Sequence, residues 1–125
     1  MSYLTDRARA TGLGSAKDGT GHFWSQRITA IALVPLGLLF VFPFAIALGD
    51  GYEAVRALYG APYHAIVAGL FIVVAFNHLR LGIQVVVEDY VHGGARTVIL
   101  VLNTLFCALF AFGGLFAVAR IAFAG

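Results

Sequence analysis

The chain has 125 residues, 61% of them hydrophobic and 11% charged, and its formal net charge is +2. That composition excludes a water-soluble domain of this size, which needs far more polar surface around its core. The small charge, with no basic patch interleaved with aromatics, excludes a nucleic-acid partner.

Residues 1–26 read as a polar arm, and three apolar runs follow it. The runs predict transmembrane helices over about 27–48, 64–88 and 97–123, in a single membrane-anchor domain that fills the chain (1–125). Each run exceeds the roughly 20 residues that cross ~30 Å of hydrocarbon. Only helices satisfy the backbone at that depth in a chain too short to close a β-barrel. The fold class is therefore all-α, with three membrane spans. Pro35 and Pro43 fall inside the first run, where a membrane helix tolerates them. The first connection, GDGYEAVRALYGAPYH, suits a short interfacial helix, with Tyr52, Tyr59 and Tyr63 at the headgroup layer. The second, EDYVHGGAR, joins the last two spans. The single cysteine, Cys107, lies in the third run and reads as a small packing residue.

The Lys/Arg distribution sets the expected orientation. Arg7, Arg9, Lys17, Arg27 and Arg96 fall on one side, against Arg56 and Arg120 on the other. The positive-inside rule places the N-terminus in the cytoplasm and the C-terminus in the periplasm. Ala45 and Ala47 form an A-x-A pattern, but the apolar run is longer than a signal-peptide core and the polar stretch before it holds Asp6 and Asp18, so cleavage is not expected. The same stretch is short for a mitochondrial presequence plus a mature arm, which favours a multi-pass protein of the bacterial inner membrane.

The middle span carries the chemistry. Polar residues at bilayer depth are costly and need a reason. His78 lies roughly 16 Å from the cytoplasmic end of its helix, near mid-membrane. Helix geometry puts Gly82 about 40° and Asp89 about 20° from it, so one face carries a histidine, a close-approach position and an acid at the water boundary. Spacing leaves three roles open for His78: a helix–helix hydrogen bond, haem ligation or a proton relay. His22, His64 and His92 all fall at helix ends, so a bis-histidine haem needs its second ligand from another chain. Tyr90 reads either as an aromatic-belt residue or as a donor to a quinone carbonyl, with Asp89 beside it to deliver protons. Arg27 and His22 stand at the start of the first span, where Arg27 serves as a snorkelling anchor or pairs with a haem propionate. Arg80 points about 160° from the His78 face and is not assigned to that site.

The run HLRLGIQVVVEDYVHG, with His78, Gly82, Asp89 and Tyr90 in order, closely resembles the hydrophobic membrane anchor family of succinate dehydrogenase (complex II). The basic arm, the HFWSQRITA segment and the three-span length also fit, and GSAKDGTGHFW looks alphaproteobacterial. The resemblance implies a partner anchor, the cytochrome b556 subunit, with which the chain shares one haem b and docks the iron–sulfur and flavoprotein subunits. It implies His78 as the axial haem ligand, Tyr90 as the ubiquinone donor, Asp89 in support, and, more weakly, Arg27, His22 and Gly82 around the haem. The expected function is that of an anchor of succinate:ubiquinone oxidoreductase, not catalytic alone. The alternatives are a fumarate reductase anchor, or a cofactor-free small transporter or assembly subunit.

Overall fold

A computed structural model describes residues 5–12 and 18–123. Residues 1–4, 13–17 and 124–125, with Lys17 of the basic arm, lie outside the described residues. Five helices follow in chain order: α1 (Asp6–Thr11), α2 (Asp18–Gly49), α3 (Tyr52–Gly60), α4 (Pro62–Tyr90) and α5 (Gly94–Phe123). α2, α4 and α5 are each long and apolar enough to cross a membrane.

α2 starts well before the apolar run does, so His22, Phe23, Trp24, Ser25 and Gln26 are helical rather than part of an extended arm. No proline stands between Asp18 and Pro35 to stop the helix, and Pro35 and Pro43 are both carried inside it. Gly51, at φ 97°, turns the chain from α2 into α3, a backbone conformation that only glycine adopts without strain. Ala61 then ends α3 and begins α4 with extended dihedrals (φ −78°, ψ 125°). Pro62 forces this, because the residue before a proline is held out of the helical region. The α4–α5 turn passes through Gly93 at φ 71°, and the Arg96 N–H returns to the Gly93 carbonyl at 3.2 Å.

The spanning helices form a row with α4 in the middle. α4 packs against both α2 and α5, and α2 and α5 make no contact with each other among the described residues. Burial follows from this order. Val67, Ala68, Leu81 and Val87 of α4 are buried, against Asn103 and Cys107 on α5 and Ala47 on α2. The α4–α5 seam closes on glycines. A Cβ at Gly114 would lie 3.2 Å from Ile72 Cδ1, and one at Gly69 would lie 3.4 Å from Leu115 Cδ2. Small residues bring membrane helices together in this way, because dispersion between close backbones replaces the hydrophobic drive that lipid removes. Asn103 Nδ2 adds a 3.0 Å bond to the Arg80 carbonyl, using that oxygen's second lone pair, and Cys107 Sγ lies 3.6 Å from Asn103 Oδ1. Cys107 is thus the packing residue its surroundings suggested.

The end of the row away from the α4–α5 turn is tied by aromatics. Phe40 stacks on Phe71 at 4.5 Å between centroids and also meets Phe44 and Tyr59. α3 lies across this end and touches all three spanning helices. Tyr52 and Tyr63 remain 74% and 58% exposed, as residues of a headgroup belt should be, but Tyr59 is buried at 7%. Tyr59 is therefore a packing residue and not a belt residue: it sits about two helical turns after Tyr52, and the Phe40–Phe44 pair covers its ring. Its hydroxyl finds no partner among the described residues, and burial pushes the phenol pKa up.

Most large apolar side chains point outward on all three spans, including Ile31, Phe42, Leu70, Leu109 and Phe112. Surface of this extent is stable only against lipid or another apolar chain.

Candidate functional site

Antiparallel packing of α2 and α4 builds a polar seam inside an apolar pair. Along α2, His22, Gln26 and Thr29 fall within about 60° of one another, a single stripe. Two contacts show that this stripe faces α4. Thr29 Oγ1 lies 2.9 Å from His78 Nδ1, across 49 residues of sequence. The Gln26 Nε2 amide lies where a Cβ at Gly82 would come within 3.5 Å. The approach at Gly82 that spacing left open for a flat ligand is thus taken by Gln26 of the same chain.

His78 is half-buried, and Nδ1 is the ring nitrogen engaged by a side chain among the described residues. Two further polar atoms of the stripe, His22 Nε2 and Gln26 Oε1, are buried without a partner among the described residues. Buried polar atoms left unpaired cost about 1–3 kcal/mol each. A seam with such atoms beside a histidine in the middle of α4 is therefore suited to a polar group from outside the chain.

The other candidates distribute as follows. Arg27 lies on the opposite side of α2 from Thr29 and is exposed, with its guanidinium carbon 5.2 Å from the centre of the Phe23 ring. His22 and Gly82 thus join His78 along one seam, and Arg27 does not. Arg80 turns toward α5, where its Nη2 donates to Asn77 Oδ1 at 3.4 Å, and the two line a groove with Phe76, Thr104 and Phe112. Asp89 and Tyr90 close α4, about 18 Å along the axis from His78 for Tyr90. Both are exposed, Tyr90 at 80%. Their neighbour Glu88 is held instead, accepting from Gln84 Nε2 at 3.0 Å and facing Arg96 at 3.6 Å. The charge of Glu88 is spent inside the chain, and Asp89 and Tyr90 are the polar groups offered outward at this end of α4.

Gln26 and Thr29 are the residues that sequence reasoning did not single out. The signal for them was present: with His22 they repeat at the four- and three-residue spacing of one helix face, in an otherwise apolar stretch. Among the described residues, no group of three or more His, Cys, Asp or Glu side chains gathers to hold a bare metal ion.

The family described as succinate dehydrogenase/fumarate reductase transmembrane subunit matches residues 1–114. The succinate dehydrogenase hydrophobic membrane anchor subunit of Paracoccus denitrificans is 37% identical over 106 residues, covering 85% of this chain and 82% of that one. Its counterpart in Rickettsia bellii is 36% identical over 109 residues, covering 86% of each chain. The succinate dehydrogenase membrane anchor subunit of Reclinomonas americana is 34% identical over 80 residues, 62% of this chain and 67% of that one. No solved structure matches the chain. A family match across nearly the whole length, three apolar spans and these identities together make the chain a multi-pass member of the succinate dehydrogenase/fumarate reductase transmembrane subunit family, of the alphaproteobacterial hydrophobic membrane anchor type.

Proposed function

We propose that the chain is the anchor of a succinate:ubiquinone oxidoreductase in the bacterial inner membrane. It shares haem b with a cytochrome b556 partner anchor, lends Tyr90 and Asp89 to a ubiquinone site, and docks the iron–sulfur and flavoprotein subunits at the cytoplasmic end of α4. The N-terminus lies on that cytoplasmic side and the C-terminus in the periplasm, following the basic residues.

The observation that carries the haem assignment is the state of His78. One ring nitrogen is engaged by Thr29, and no described side chain engages the other. A ligating histidine is held in this way, with one nitrogen fixed by the protein and the other given to the metal. The donor set fits a haem: His78 would give one nitrogen to the iron, and the partner anchor would give the other ligand. His22 Nε2, buried and unpartnered on the same stripe, suits a propionate oxygen nearer the water boundary. Arg27, off the seam, is given no direct part. When bound, the haem would supply a one-electron redox centre within the anchor.

At the end of α4 the Tyr90 hydroxyl donates to a quinone carbonyl, and Asp89 passes protons from the aqueous side. The high exposure of Tyr90 in the isolated chain supports a pocket whose remaining walls come from the partner subunits.

The test is a reduced-minus-oxidised spectrum of the purified complex, with native His78 and with His78→Ala. Loss or severe disturbance of the low-spin b-type signal in the variant is expected, with the helices still inserted. An unchanged signal overturns the reading.

A further inference from the structure

Hydrogen counting at Thr29 fixes which nitrogen of His78 carries the proton. Thr29 Oγ1 lies 2.8 Å from the Ser25 carbonyl oxygen, 3.0 Å from the Gln26 carbonyl oxygen and 2.9 Å from His78 Nδ1. A hydroxyl has one hydrogen and two lone pairs, and carbonyl oxygens only accept. If that hydrogen pointed at Nδ1, both carbonyl oxygens would face the hydroxyl oxygen at these distances with no hydrogen between them. Lone pair would stand against lone pair twice, in surroundings too poor in water to screen the repulsion. Directing the hydrogen into the preceding turn removes the clash, and threonine in helices commonly bonds back in this way. The 2.9 Å contact must then be made by a hydrogen on Nδ1, donated to Thr29 Oγ1. A neutral imidazole with its hydrogen on Nδ1 keeps its lone pair on Nε2.

We infer that Thr29 is a positioning residue for His78: it holds the ring as the Nδ1–H tautomer and leaves Nε2 as the ligating atom. This rests on the reading of His78 as the axial haem ligand. The hydrogen bond also makes the ring a better donor, because a proton partly given to an acceptor leaves more electron density on the other nitrogen. A stronger donor favours the ferric over the ferrous haem. Thr29 therefore lowers the haem potential as well as orienting the ligand. A threonine present only for its shape would do neither, and valine would replace it without consequence.

The experiment compares native, Thr29→Val, Thr29→Ser and His78→Ala chains in the assembled complex. Thr29→Val keeps the branched shape and loses the acceptor. It should weaken haem retention about 10- to 100-fold, the usual effect of removing a group behind a metal ligand. It should also raise the midpoint potential, a tenfold loss of ferric preference reading as about 59 mV in a one-electron titration. Thr29→Ser keeps the hydroxyl and should restore both values. Thr29→Val with native haem affinity and native potential overturns the inference. ¹⁵N NMR of histidine-labelled native complex in the ferrous state reads the protonated nitrogen directly, so the question stays decidable if Thr29→Val fails to assemble: a hydrogen on Nε2 overturns the inference. The two readings fail separately. A native spectrum in His78→Ala removes the haem ligand assignment itself. Loss of haem in His78→Ala with no change in Thr29→Val removes only the role of Thr29.

Discussion

Tyr90→Phe isolates a single hydroxyl at the proposed quinone site. Tyr90 is 80% exposed at the end of α4 and its hydroxyl has no hydrogen-bond partner among the described residues, so the substitution takes nothing from the fold of this chain. An exposed change of this kind falls within about ±0.5 kcal/mol in stability. The effect on turnover is larger. As a quinone is reduced its carbonyl oxygen gains negative charge, and a donor already in place strengthens as that charge develops. Removing one such donor costs about 3–4 kcal/mol in the transition state, on the order of 100- to 1000-fold in rate. Succinate oxidation by an artificial acceptor at the flavoprotein should be unaffected, since no part of that route reaches α4. Both activities are measured on one preparation, with haem content as a control. Native ubiquinone reduction by Tyr90→Phe would show Tyr90 to be a membrane-belt residue, and equal loss of both activities would trace the effect to assembly.

Two further outcomes are expected. Tyr59→Phe removes a buried hydroxyl that has no partner among the described residues and should raise the thermal stability of the detergent-solubilised chain by about 1–3 kcal/mol. Because burial raises the Tyr59 pKa, the native protein should keep its full stability below the ordinary phenol value of 10.0 and lose it as pH rises through the raised one, and Tyr59→Phe should flatten that loss in a melting series. A reporter fused after Gly125 should be active in the periplasm and silent in the cytoplasm, and the reverse result would refute the orientation drawn from the basic residues.

The spans were legible because each is an apolar run long enough to cross a bilayer, and length against bilayer thickness is a one-dimensional test. α3 was legible too, from its short segment of spaced tyrosines. The start of α2 was not. Its first turns carry Gly19, Gly21, His22 and Ser25, which read as a polar arm and fold as helix because α4 lies alongside. Tyr59 was misassigned for a related reason. All three tyrosines of the connection suit an interface, and only the position of Phe40 and Phe44 selects one for burial. The contact between Thr29 and His78 was beyond the sequence. It depends on the antiparallel register of two helices whose partners lie 49 residues apart, and no local pattern encodes that register.

Among the described residues α2 and α5 do not meet each other; α4 lies between them along their length and α3 bridges all three at one end only, and this has a consequence for energetic coupling. Substitutions on contacting residues interact, whereas those at well-separated sites with no shared partner add within about 0.3–0.5 kcal/mol. Thr29 on one flank and Gly114 on the other share no partner: the first meets His78 and the second would meet Ile72. Double substitutions across the row should therefore sum, while pairs within one flank should not. The chain behaves as two nearly independent cassettes that share a spine. Away from α3, the α5 flank is free to drift in sequence to suit lipid or a neighbouring chain, and the proposed tuning of His78 by Thr29 on the α2 flank need not change with it.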